Sequence, residues 1–139
     1  MTLPRLNNLN DLEALLRRLH AEPVIEGIGF DMQRDYDFRK STKHDCGSAC
    51  CIGGWIQACN PETQDVTIED AVLVLAGGGN IDEAYGLCYP SEWRNRNNGE
   101  SFYDAQPLTA AHAVAIFRDE GIANWPEALR RARAELGNA

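Results

Sequence analysis

The sequence lacks the features that would assign it to a membrane, secreted or nucleotide-binding class. No apolar stretch reaches the roughly 18 residues that a membrane-spanning helix needs. Residues 1–10 contain no basic segment followed by an apolar one, so no export signal is expected. Gly77-Gly78-Gly79 is not followed by a Lys-Ser or Lys-Thr pair, which excludes a P-loop. We therefore expect a cytoplasmic chain with reduced thiols, no membrane contact and no cofactor.

Positive charge is also scarce. The chain has 13 lysine and arginine residues against 21 aspartate and glutamate residues, and its formal net charge is −8. Binding to nucleic-acid phosphates needs clustered lysine and arginine, so this balance disfavours a nucleic-acid partner. The balance is compatible with a partner that has a basic surface, or with solubility alone.

What the sequence does contain is enough apolar residues for one core. Over 139 residues, 44% are hydrophobic, and we expect a single globular domain spanning residues 1–139. The apolar spacing predicts a mainly α domain of about six helices, with a small β-hairpin near residues 24–38. Helix starts are expected after the capping residues Asn10, Asp45, Thr67, Asn80 and Thr109, and at Asn124-Trp125. In the first helix, a stripe of leucines faces the core: Leu12, Leu15, Leu16 and Leu19.

Residues 44–59 hold four of the five cysteines together with Trp55. The segment predicts a helix that runs from Cys46 to Asn60-Pro61. Cysteine is among the most buried residue types, so we expect Cys50, Cys51 and Trp55 to pack in the core.

Two chemical interpretations of the same segment stay open. In the first, the chain is a thiol-dependent enzyme: Cys46 is the nucleophile, activated by the first turn of its helix, and His112 or His44 is the base. In the second, zinc stabilises the domain through His44, Cys46, Cys50 and Cys59, although no paired Cys-x-x-Cys knuckle is present. No oxyanion donors or third orienting group can be identified, so packing is the preferred interpretation.

The polar stretch from Ser91 to Gln106 is the better candidate for binding. Trp, Tyr and Arg dominate protein interfaces, and long loops inside compact domains are often functional. The alternative is that the aromatic side chains form a small satellite core beneath the loop. The predicted partner-binding residues are Trp93, Arg94, Arg96, Phe102 and Tyr103.

Several segments together resemble a family of uncharacterised small proteins of bacteria and their phages. The resemblance rests mainly on the run from Cys46-Gly47-Ser48 through Cys50-Cys51-Ile52 to Trp55. Weaker matches are Phe30 to Met32, Gly86-Leu87 before Tyr89-Pro90, Leu108-Thr109 with Ala113, and Asn124-Trp125. The resemblance implies a cytosolic protein of phage or mobile-element origin and carries no activity with it.

These observations favour an interaction protein over an enzyme. Small size, acidic balance and an aromatic loop with arginines predict a module that masks a surface of a host protein, in the manner of a phage inhibitor. The thiol-dependent enzyme and the zinc-stabilised domain are the alternatives.

Overall fold

A computed structural model describes residues 3–30, 48–50, 52–88, 106–121 and 124–137 of the chain. The described part is mainly helical and its buried apolar side chains form one core, as expected from the sequence. Two short strands and a one-turn 3₁₀ helix (Pro61–Thr63) accompany the helices. The elements are α1 (Leu9–Ala21), β1 (Ile28–Phe30), β2 (Ser48–Cys50), α2 (Ile52–Cys59), α3 (Ile68–Ala76), α4 (Ile81–Cys88), α5 (Pro107–Glu120) and α6 (Trp125–Gly137).

The N-cap of helix α1 lies two residues before the expected one. The side chain of Asn8, not Asn10, accepts the Asp11 N–H at 3.0 Å, while the Asp11 carboxylate accepts the N–H of Asn7. Asn8 and Asn10 are both suitable capping residues before the leucine stripe, so the sequence alone left the start of this helix ambiguous. All four predicted leucines are buried, and α1 packs against α5.

The β element differs from the predicted hairpin. Strand β1 pairs in parallel with β2, with Gly29 opposite Ala49, so its described partner comes from beyond residue 38. Within residues 24–30 only one antiparallel bridge joins Ile25 to Ile28. The turn between them has positive φ at Glu26 (52°) and Gly27 (79°), which is the geometry of a tight two-residue turn.

Helix α2 begins at Ile52, not at Cys46, because residues 48–50 are extended in β2. Cys50 therefore lies in β2 and not on this helix, and the predicted helix start at Cys46 is wrong. Trp55 is fully buried, as predicted, and its indole N–H donates to the carbonyl of Gly29 at 2.7 Å. This hydrogen bond attaches α2 to β1.

A buried polar cluster fixes the turn after α2. The Asn60 side chain accepts the N–H of Leu6 at 3.0 Å and donates to the Leu6 carbonyl at 2.8 Å. Gln57 donates to the carbonyls of Thr63 and Val66. These hydrogen bonds hold the amino-terminal segment and the 3₁₀ turn against α2. They also give partners to backbone groups of Leu6, Thr63 and Val66 that lie outside the regular α-helices and strands.

Helices α3 and α4 start at their predicted caps. The Thr67 hydroxyl accepts the N–H of Asp70, and the Asn80 side chain accepts the N–H of Asp82. Helix α3 ends at Gly77, whose φ of 79° places it in the left-handed region that glycine favours.

Helix α5 starts at Pro107 with Gln106 as its N-cap, so the expected cap at Thr109 lies one turn inside the helix. A proline is favoured at this first position because its missing N–H would have no helical partner there. Trp125 opens α6, is buried, and stacks on Phe117 with ring centroids 5.1 Å apart. Its indole N–H donates to the carbonyl of Glu83 at 2.9 Å, which connects α6 to α4.

Candidate interaction surface

The predicted binding loop lies outside the described residues. This holds for Trp93, Arg94, Arg96, Phe102 and Tyr103, and their role stays a prediction. The structure does define where the loop departs and returns. It follows the end of α4 and precedes the Gln106 cap of α5.

The predicted activation of the Cys46 thiol by a helix start is not supported by the structure. Helix α2 begins six residues after Cys46, so Cys46 is not a first-turn residue of this helix. The activation of its thiol by the positive end of the helix dipole therefore does not apply. Cys46 and His44 lie outside the described residues. His112 is half-buried on α5, and its Nδ1 lies 3.4 Å from the Glu135 carboxylate on α6. The neighbour that the structure gives this imidazole is therefore a carboxylate of the adjacent helix.

Cys59, the last residue of α2, is a buried free thiol. Desolvation raises the pKa of its thiol to about 12, because burial penalises the thiolate. A zinc ligand must be a thiolate, so this environment disfavours Cys59 as a ligand. Among the described residues no group of three or more histidine, cysteine or carboxylate side chains is arranged to hold a metal ion. Of the other members of the predicted zinc set, Cys50 lies in β2, and His44 and Cys46 lie outside the described part.

A shallow groove of about 210 Å³ runs along α1 and the segment before it. The charged side chains at its rim already have partners within the chain. Arg5 binds Glu62, Arg18 binds Glu22, and the Asp11 carboxylate accepts a hydrogen bond from the backbone N–H of Asn7. The groove is lined by Pro4, Arg5, Leu6, Asp11, Ala14, Leu15 and Arg18. No unpartnered buried polar side chain in the described ranges points to a ligand here.

Positive charge on the described surface is neutralised locally. Seven arginines and no lysine lie in the described ranges, and ion pairs with carboxylates join arginines on this surface to their neighbours. Hydrogen bonds from arginine lower the pKa of Glu62, Glu120 and Glu127, so these carboxylates stay ionised. The pairs are Arg5–Glu62, Arg17–Glu13, Arg18–Glu22, Arg118–Glu13, Arg130–Glu127 and Arg131–Glu120. Such exposed pairs add little stability, but they leave little free positive charge on this surface.

The segment from α2 to α4 carries the opposite pattern. No lysine or arginine occurs anywhere between Lys43 and Arg94, although six acidic residues lie within residues 52–88. One of the six, Glu62, binds an arginine, and that arginine (Arg5) comes from the amino-terminal segment. This absence of basic residues is visible in the sequence, and the net charge alone conceals it.

Two large apolar side chains are exposed in the same segment. Val74 on the last turn of α3 is 64% exposed, and Ile81 at the start of α4 is 55% exposed. Among the described residues, Val24 is the other large hydrophobic side chain with comparable exposure.

No protein family, curated protein or solved structure matches the chain. The resemblance to small bacterial and phage proteins therefore stays a prediction. None of the helices in the described ranges is long and apolar enough to cross a membrane.

Proposed function

We propose that this chain is a small acidic binding protein that covers a basic surface of a larger protein and has no catalytic activity of its own. The observation that carries the proposal is the uneven distribution of charge. Arginines on α1, α5 and α6 are paired with carboxylates, whereas the stretch from residue 44 to residue 93 contains acidic residues and no lysine or arginine. A surface of this kind attracts a cationic partner and repels nucleic acid.

The reactive groups of the described part support binding over thiol chemistry. Nucleophilic catalysis needs a thiolate within hydrogen-bond reach of a base. Cys59 is buried with a raised pKa, so this thiol is not placed as the nucleophile of such a pair.

The finer features of the proposal come from the sequence. The resemblance to phage proteins makes the partner a host protein and the chain a cytoplasmic inhibitor. The loop with Trp93, Arg94, Arg96, Phe102 and Tyr103 supplies the aromatic contacts, because such side chains concentrate binding energy at interfaces. An inhibitor of this charge would compete with nucleic acid for the basic surface that it covers.

Pull-down from host lysate tests the proposal. The wild type should recover one stoichiometric partner, and recovery should fall as salt rises because the attraction is electrostatic. Trp93→Ala and Tyr103→Ala should each reduce recovery, while Val24→Ala, which truncates an exposed valine elsewhere, should not. Recovery of the same partner by all variants would remove the loop from the interface. Salt-independent recovery, or no specific partner, would refute the proposed function.

A further inference from the structure

The segment before α1 is held by side chains rather than by regular structure. Residues 3–6 form neither helix nor strand. The Asn60 side chain accepts the Leu6 N–H at 3.0 Å and donates to the Leu6 carbonyl at 2.8 Å. One amide group thus binds both backbone groups of one residue, as the paired residue of a neighbouring antiparallel strand would. Bonds of this kind accept any residue with a backbone N–H at that place.

Two side chains of the segment complete the contact. The Arg5 guanidinium and the Glu62 carboxylate form a bidentate pair, in which Nη1 donates to Oε2 at 2.9 Å and Nη2 donates to the other oxygen. Leu6, the next residue, is only 2% exposed and packs in the core. The contact therefore recognises three features in order: a basic residue, a backbone N–H with its carbonyl, and an apolar side chain.

The groups that receive the segment are positioned by other parts of the chain. The Asn60 N–H donates to the carbonyl of Ile56 on α2, and the Asn60 carbonyl accepts both the N–H and the hydroxyl of Thr63. Glu62 lies in the 3₁₀ helix that Pro61 opens with its fixed φ. Because none of these contacts involves residues 3–6, the receiving groups do not need the segment to hold their positions. We define the Asn60–Glu62 site as these two side chains and the buried space that Leu6 fills.

The segment itself packs incompletely. The groove of about 210 Å³ separates residues 4–6 from α1, and the side chains of Arg5 and Glu62 are 58% and 49% exposed. The cap of α1 comes from Asn8, whose side chain accepts the N–H of Asp11. Residues 3–6 can therefore leave the site without removing the cap of the helix that follows them.

We infer that the Asn60–Glu62 site docks an extended segment of the partner protein, one with a basic residue followed by an apolar residue, and that Arg5 and Leu6 occupy the site as an internal competitor. The inference rests on the proposed function and assigns it a contact. Glu62 belongs to the stretch without lysine or arginine, and the arginine that it binds comes from outside that stretch. A partner with a basic surface offers the same chemistry, so the segment seated in the site shows which occupant it fits.

Titration with a defined peptide, followed by the NMR signal of the Asn60 side-chain amide, tests the site. The probe is a capped peptide with the sequence of residues 3–8, Leu-Pro-Arg-Leu-Asn-Asn. The full-length double variant Arg5→Ala/Leu6→Ala, called the opened variant, should bind it at least about tenfold more tightly than the wild type, because its own segment competes less. The single variant Arg5→Ala changes an exposed side chain and should bind about threefold more tightly than the wild type. It decides the question if circular dichroism shows that the opened variant is unfolded.

Comparison peptides and a charge control define the specificity. In the opened variant, replacing the second leucine of the peptide by alanine should weaken binding at least about tenfold, since the buried apolar contact is lost. Replacing the arginine of the peptide by glutamine should weaken it about fivefold, and adding Glu62→Gln to the protein should make the arginine and glutamine peptides bind equally. Asp65→Asn removes an exposed carboxylate three residues away and should change binding less than about twofold.

The outcomes separate the Asn60–Glu62 site from the proposed function. Equal binding by wild type, Arg5→Ala and the opened variant would overturn the site, as would an equal loss with Asp65→Asn and Glu62→Gln. A dimer of the opened variant with the wild type in size-exclusion chromatography would make a second copy the occupant and would overturn the inference.

Pull-down from lysate tests the partner. The opened variant should recover at least about threefold more partner than the wild type, because its site is free. Unchanged recovery would overturn the site as a partner contact and leave the proposed function standing. If every variant recovers no partner while the peptide binds as expected, the proposed function fails and the specificity of the site stands.

Discussion

Gly86 on α4 is the position where adding one methyl group should be most damaging. A Cβ at this position would overlap Cδ1 of Trp125 and would lie 3.2 Å from Nε1 and 3.5 Å from Cγ of the same ring. The ring has little freedom to move away. It is buried, stacked on Phe117 and hydrogen-bonded to the carbonyl of Glu83. We therefore predict that Gly86→Ala destabilises the protein.

The magnitude follows from opposing contributions. Alanine is favoured over glycine inside a helix by about 1 kcal/mol. Overpacking costs about 1–3 kcal/mol. If the Trp125 ring shifts to relieve the overlap, it weakens its hydrogen bond to Glu83 and its stacking on Phe117, each worth about 1 kcal/mol. The net expectation is a loss of about 2 kcal/mol in the free energy of unfolding. For a chain of this length the melting temperature should fall by about 7 °C.

Urea and thermal unfolding followed by circular dichroism measure this loss. Gly137→Ala is the control, because Gly137 is also helical and a Cβ there meets nothing within 4 Å. It should change stability by less than about 0.5 kcal/mol. In a Trp125→Ala background, which removes every ring atom that the new Cβ would meet, Gly86→Ala should cost less than about 1 kcal/mol. An undiminished cost in that background, or a stabilised single variant, would refute the packing argument.

Three further predictions concern the rest of the core and its turns. Asn60→Ala leaves the N–H and carbonyl of Leu6 without their side-chain partner and should cost about 3 kcal/mol in urea unfolding; a cost under about 1 kcal/mol would contradict the bonds to Leu6. The raised pKa keeps the Cys59 thiol protonated in the fold, whereas the thiol of the unfolded chain ionises near pH 9. The stability advantage of wild type over Cys59→Ala should therefore be full below pH 9 and decline between pH 9 and about pH 12. A stability difference that stays constant with pH in reducing buffer would contradict this. Glu26→Asn should raise stability by about 0.5–1 kcal/mol, because asparagine tolerates positive φ better than glutamate; an unchanged melting temperature would count against the left-handed turn.

Local rules predicted three helix starts and missed the cap of α5, which is Gln106 and not Thr109. The capping residues Thr67 and Asn80 and the helix opened by Trp125 are determined by contacts within a few residues, which sequence patterns report directly. The leucine stripe of α1 was predictable for the same reason, since helical periodicity records which side is buried.

The cysteine segment could not be predicted from local pattern because a distant partner decides its structure. Residues 48–50 are extended through pairing with β1, which lies about twenty residues earlier in the chain, and this pairing moves the helix start to Ile52. A parallel pair also needs a long connection, so no turn signal marks it in the sequence. The approach of Trp125 to Gly86 is equally non-local, and only the presence of a glycine inside α4 hinted at it.

Stability alone does not explain the surface on which the functional proposal rests. First-turn positions account for Asp70 and Asp82, because acidic side chains there complement the helix dipole. The same electrostatics would favour a lysine or arginine in the last turns of α2, α3, α4 and α6, and none of these turns contains one. A substitution such as Val74→Lys would bring a favourable helix-end interaction of about 0.3–1 kcal/mol and would reduce the net negative charge of the domain. Leaving these helix ends without basic residues gains no stability and keeps the domain more negative, which agrees with the proposed binding to a cationic surface.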